Sequence, residues 1–204
     1  MNYACSLTFL AAGVFLLSSG RRDWLLLFWL AAAIQELGHL AVLRLLGGRA
    51  EKLCFRLSGA EIRYSGVGIS YGGEILLALA GPGMNLLCAA LASIVVRWYP
   101  RALLYRFIGC HLVLALFNLL PALPLDGGRA LQSALEGRFP LEGERYTLWI
   151  SRVVGGVLFL LGISVLLLRG NPTLFSAGGV ILLRTGRKKT LHLPKKLLKY
   201  KFKL

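Results

Sequence analysis

Ala33-Ile34-Gln35-Glu36-Leu37-Gly38-His39 decides how this chain is read, because it places an amide, a carboxylate and an imidazole inside a segment that otherwise runs apolar from Trp24 to Leu43. Such groups are costly at hydrocarbon depth and are expected to face a bundle interior or a wet cavity for a functional reason. On a helix, positions 35 and 39 stand one turn apart on one face, with Glu36 beside them. The composition says that the surroundings are lipid. Of 204 residues, 56% are hydrophobic and only 16% charged, and the mean hydropathy is +0.67, more apolar than an ordinary soluble domain.

Apolar runs long enough to cross about 30 Å of hydrocarbon recur along the chain. They lie near Tyr3–Ser19, Trp24–Leu46, Ile75–Val96, Leu103–Leu120 and Leu148–Leu168, with a short sixth near Thr173–Leu183 after Asn171-Pro172. The first resembles a signal peptide in length, but it lacks a basic leader and a small-x-small cleavage site before Arg21, and it is read as a span. Between the second and third spans, residues 52–57 and 60–64 alternate apolar and polar around Ser58-Gly59, the pattern of a hairpin. That hairpin is either a structural connector or an edge strand that pairs with an extended substrate, with Phe55 and Leu57 as its contacts. The expected fold is therefore an all-α polytopic membrane protein with about six transmembrane helices and one small β-hairpin. Residues 1–184 form a single membrane domain and residues 185–204 a basic tail.

The formal charge of +15 could suggest nucleic acid. Its distribution points elsewhere, because Lys and Arg crowd the C-terminus among Leu197, Leu198, Tyr200 and Phe202, and no acid follows Glu144. A tail of this kind beside a membrane segment is an anchor on anionic lipid. Six crossings put Arg44, Arg49, Lys52, Arg56, Arg63, Arg129, Arg138, Arg145 and the tail on one side, which the positive-inside rule makes cytoplasmic. Both termini of this multi-pass cell-membrane protein are then cytoplasmic. Cys5, Cys54, Cys88 and Cys110 are scattered, with no metal-binding pair or disulfide framework.

Gln35, Glu36 and His39 have the spacing of a His-Glu-x-x-His zinc helix, in which two imidazoles bind the metal and the glutamate acts as general base. Taken alone, Glu36 and His39 read equally well as a mutually satisfied polar pair. A second stretch, Asn118-Leu119-Leu120-Pro121-Ala122-Leu123-Pro124-Leu125-Asp126-Gly127-Gly128, ends the fourth span with two prolines and leaves a carboxylate beside two glycines. Asp126 is either a metal ligand or an ordinary turn aspartate.

With Glu36-Leu37-Gly38-His39 in the second span, Ala80-Gly81-Pro82-Gly83-Met84-Asn85 in the third, and Asn118, Pro121, Asp126 and Gly127 in the fourth, the chain resembles the site-2 protease family of intramembrane zinc metalloproteases. The likeness is nearest to its small bacterial members, such as the sporulation protease that processes a sigma-factor precursor. It covers residues 34–129. The resemblance implies that His39 and Asp126 ligate Zn2+, that Glu36 is the general base, and that Asn118 contacts the substrate backbone or the developing oxyanion. It also implies that Gly81, Pro82 and Asn85 belong to a close-packed third span. The implied activity is cleavage of membrane-embedded protein substrates.

The departure is Gln35, which stands where the family has its first histidine ligand. A neutral amide oxygen suits zinc less well than imidazole, so zinc binding and activity are expected to weaken. Three accounts stay open: a working protease with an unusual ligand, an inactive relative that binds single-span clients, and an altered copy of an ordinary enzyme. His111 could replace the missing ligand if the bundle brought it close, or could bond to a neighbouring helix. Nothing suggests the two repeated halves of a transporter.

Overall fold

The computed structural model describes residues 2–5, 22–56, 59–65, 69–169 and 173–186. Tertiary contacts divide the chain into two compact units, Met1–Leu119 and Leu120–Leu204.

The first unit holds strand β1 (Asn2–Cys5), helix α1 (Arg22–Leu45), strands β2 (Arg49–Arg56) and β3 (Gly59–Ser65), and helices α2 (Tyr71–Trp98) and α3 (Ala102–Asn118). The apolar length of the Trp24 segment drives α1, and Gly47-Gly48 ends it. Gly47 takes φ 75°, its N–H bonds to the Arg44 carbonyl at 3.0 Å, and Gly48 N–H bonds to the Leu43 carbonyl at 2.9 Å. This is a Schellman cap, which glycine forms without steric penalty. Ser70 caps α2, its hydroxyl accepting from Gly73 N–H at 3.2 Å. Pro82 lies inside α2, where it removes one backbone donor and disturbs the preceding turn. Leu43, Ile69 and Leu77 form a small buried core where α1 ends and α2 begins.

The sheet has the order β1-β2-β3. β2 and β3 are antiparallel, with Phe55 opposite Ala60 and Cys54 opposite Glu61. Leu57 and Ser58, between these strands, lie outside the described residues. β1 pairs parallel to β2, Tyr3 opposite Leu53 and Cys5 opposite Phe55. This corrects the expectation of a helical span beginning at Tyr3. Backbone pairing to β2 takes residues 2–5, and the remainder of that expected span lies outside the described residues.

The second unit holds α4 (Asp126–Arg138), α5 (Gly143–Arg169) and α6 (Thr173–Gly186). α4 was not expected. Its first turn contains Asp126, Gly127 and Gly128, all buried, so the glycines begin a helix instead of forming a loose turn. A Cβ on Gly128 would fall on the Ala122 carbonyl and Leu123 nitrogen, so glycine is what lets the helix start against the preceding chain. Ser151 of α5 holds that chain, its hydroxyl accepting from Leu123 N–H at 3.0 Å and donating to the Thr147 carbonyl at 2.7 Å. α5 and α6 approach closely through Gly155 and Gly178, because a Cβ on Gly178 would meet the Phe159 backbone and one on Gly155 the Ile181 side chain. The Arg152 guanidinium donates to the Thr185 carbonyl at 2.8 Å and 3.3 Å, satisfying an acceptor in the last turn of α6.

Among the described residues, three helical segments are long and apolar enough to cross a membrane: Leu26–Leu45, Tyr71–Trp98 and Gly143–Leu168. Ala102–Asn118 is a shorter apolar helix, and α6, at 14 residues, rises about 21 Å at 1.5 Å per residue. Leu87, Leu91, Ile94, Val113, Leu116 and Leu160 are exposed on these helices, while Gln35, His39, Asn85 and His111 are buried. Apolar groups outside and polar groups inside are what a lipid solvent selects.

Candidate metal centre

In the first unit, α1 brings Gln35 and His39 against α2. His39 Nδ1 lies 2.8 Å from the Leu77 carbonyl. A carbonyl only accepts, so Nδ1 carries the proton, and in the neutral ring Nε2 then carries the lone pair. Gly81 makes room for this ring, since a Cβ there would fall against His39 Nε2 and 2.7 Å from both His39 Cδ2 and Gln35 Cγ. Gly38 lets the helices meet, a Cβ on it falling 2.7 Å from the Ala80 carbonyl oxygen. The sequence singled out Gly81 for close packing, and its particular partners are the two candidate ligands. Glu36 is half-buried on α1.

Gln35 is 6% exposed and its carboxamide oxygen is engaged. Asn85 Nδ2 of α2 donates to Gln35 Oε1 at 2.9 Å, and Asn118 Nδ2 of α3 approaches the same oxygen at 3.4 Å. Asn118 also donates to the Leu114 carbonyl of its own helix at 3.0 Å. The chain of bonds continues to His111, whose Nδ1 lies 2.9 Å from Asn85 Oδ1 and whose ring stacks at a tilt on Phe107, centroids 4.2 Å apart. Sequence reasoning named every member of this group without linking them. The link depends on how α1, α2 and α3 cross, and only the buried polarity of each residue signalled it beforehand. His111 is joined to Gln35 through Asn85.

Asp126 belongs to the second unit, where it occupies the first turn of α4, 8% exposed. Arg129 lies 3.9 Å from it, one turn on, and a helix start favours a carboxylate. Phe55 lies within β2, and Leu57 is outside the described residues.

The donors fit a metal in part. His39 has the tautomer, and the supporting bond from its other nitrogen to a carbonyl, that metal-ligating histidines take. Gln35 fits poorly, because the two lone pairs of its carboxamide oxygen face amide donors, Asn85 at 2.9 Å and Asn118 at 3.4 Å. Among the described residues, no group of three or more His, Cys, Asp or Glu side chains is placed to hold a metal ion.

Comparison with known proteins agrees with the motifs. Residues 95–162 match the model of peptidase family M50. The chain is 28% identical over 151 residues to a zinc metalloprotease of Methanocaldococcus jannaschii, covering 69% of this chain and 43% of that protein. It is 30% identical over 159 residues to a putative zinc metalloprotease of Mycobacterium tuberculosis, covering 72% of this chain and 37% of that one. The chain thus spans less than half the length of these relatives. In fold it is similar to the site-2 protease from Methanocaldococcus jannaschii, with a TM-score of 0.68 at 23% identity, over 92% of this chain and 89% of that one. On its motifs, its relatives and its fold, this chain resembles the site-2 proteases of peptidase family M50, and its long apolar helices are those of a membrane protein.

Proposed function

We propose that this chain is an intramembrane zinc metalloendopeptidase of the site-2 type, acting on membrane-embedded protein segments, in which Gln35 lowers metal affinity and with it turnover. The observation that carries the reading is His39, whose Nδ1 bond to the Leu77 carbonyl and opening at Gly81 suit a ring that ligates through Nε2. Asp126 is the further ligand that the family pattern assigns. Zinc, when bound, supplies a water of lowered pKa and polarises the scissile carbonyl. Glu36 takes the proton of the attacking water and passes it to the leaving nitrogen. Asn118 donates to the oxygen on which charge develops, which requires its carboxamide to leave the long 3.4 Å contact to Gln35. The β2–β3 segment, with Phe55 and Leu57, pairs with the unwound substrate. The membrane domain of residues 1–184 crosses the cell membrane six times with both termini cytoplasmic, and the basic tail of residues 185–204 rests on anionic lipid.

A second reading, a hydrolytically silent protein that holds single-span clients, is favoured by the engagement of Gln35 Oε1 with Asn85. Elemental analysis of zinc in the purified protein and in Gln35→His, alongside cleavage of a single-span reporter, tests both. The expected result is substoichiometric zinc in the parent, near-stoichiometric zinc in the variant, and cleavage that follows the metal. Stoichiometric zinc in the parent removes the impairment, and a zinc-loaded variant that binds the reporter without cutting it favours the silent reading.

A further inference from the structure

Three buried groups in the first unit share one hydrogen-bond polarity. Gln35 Oε1 accepts from Asn85 Nδ2 at 2.9 Å, so Asn85 must turn its Oδ1 the other way, where it meets His111 Nδ1 at 2.9 Å. An oxygen there obliges His111 to carry its proton on Nδ1. Asn85 and His111 are both 0% exposed, so water cannot rescue a wrong pairing. His111 Nε2 is buried with no hydrogen-bond partner. As a bare lone pair it is a lesser burden than a buried orphan N–H would be. Turning Asn85 over would set its oxygen against Gln35 Oε1 and its NH2 against a protonated Nδ1, so the three side chains can reverse only together.

We propose that Asn85 and His111 are positioning residues for position 35, forming a relay whose direction is set by whether residue 35 accepts or donates. With glutamine at 35 the relay runs from His111 through Asn85 to Gln35 and holds the carboxamide as a hydrogen-bond hub, with its oxygen turned away from metal service. A histidine at 35 that gave one ring nitrogen to a metal would present N–H from the other. Asn85 would then turn over, and His111 would change to its Nε2–H tautomer. The relay stands apart from the proteolytic reading, because it concerns proton positions in the resting protein.

The test uses ring 15N chemical shifts in full-length protein labelled at histidine, where only three histidines contribute signals. The parent is expected to show His111 as the Nδ1–H tautomer, and a parent in which it is Nε2–H overturns the proposal directly. Gln35→Leu removes the acceptor without touching the Asn85–His111 pair. The relay then predicts loss of the Nδ1–H bias at His111, whereas an isolated Asn85–His111 bond would leave it unchanged, and that result refutes the relay. His39, tied to a backbone carbonyl, keeps its Nδ1–H signature in either case and reports that the bundle is intact. Gln35→Glu, which still accepts, keeps His111 as in the parent, and a tautomer change there also overturns the proposal.

Discussion

Gly81→Ala is the sharpest perturbation of the centre, because one methyl group would meet both candidate ligands. The new Cβ would fall against His39 Nε2 and 2.7 Å from His39 Cδ2 and Gln35 Cγ, where carbon atoms prefer about 3.5–4.0 Å. The imidazole must therefore retreat by about 1 Å, which stretches its 2.8 Å bond to the Leu77 carbonyl beyond hydrogen-bonding length. The lost buried bond costs about 1–3 kcal/mol and overpacking about 1–3 kcal/mol. Alanine's better helix propensity returns about 1 kcal/mol. The net expectation is a loss of about 1–5 kcal/mol. Gly83 lies two residues on in the same helix, and a methyl added there would have nothing within 4 Å, so Gly83→Ala is expected to be neutral or stabilising by up to about 1 kcal/mol. Denaturant titration in mixed micelles, followed by circular dichroism, compares the pair. If Gly81→Ala proves as stable as Gly83→Ala, the claim that Gly81 exists to seat the His39 ring is wrong.

Gly128→Ala is expected to unfold the start of α4, since the methyl would meet backbone at Ala122 and Leu123 and backbone yields little. Amide exchange should rise across Asp126–Ala130 by at least about tenfold, a change of about 1.4 kcal/mol. Arg152→Gln removes the bonds to the Thr185 carbonyl and should destabilise the last turn of α6 by about 1 kcal/mol, read as faster exchange at residues 181–186. Slow exchange there in the variant would show that the cap is dispensable.

The parts of the fold that were legible in the sequence are those fixed by apolar length. The expected Trp24–Leu46, Ile75–Val96 and Leu148–Leu168 segments lie within or close to α1, α2 and α5, because about twenty apolar residues admit few structures other than a buried or spanning helix. α4 was illegible for the opposite reason. Its residues are mixed in polarity, and Gly127-Gly128 after Pro121 and Pro124 reads as punctuation until the close approach of Ala122 explains why glycine is there. β1 was hidden because Tyr3-Ala4-Cys5 looks the same at the edge of an apolar run whether it pairs with a strand or begins a helix. In the site, Glu36 and His39 were visible through helical spacing, whereas the bonds from Asn85 and Asn118 to Gln35 cross 50 and 83 positions of sequence. Local pattern carries no record of such pairings.

The buried hydroxyls of the second unit mostly turn back on their own helix. Thr147 bonds to the Gly143 carbonyl, Ser151 to Thr147 and Thr185 to Ile181, each four residues back. Polar atoms satisfied in this way travel with the helix that bears them and make no demand on a neighbour. The cluster around Gln35 behaves differently, since the bonds from Asn85 to Gln35 and between His111 and Asn85 each join two helices and fix the partner as well as the residue itself. Sequence drift in this chain should therefore be unequal. Thr147 and Thr185 can be exchanged for serine or alanine one at a time, whereas a change at Gln35, Asn85 or His111 that swaps a donor for an acceptor has to be answered by its neighbours.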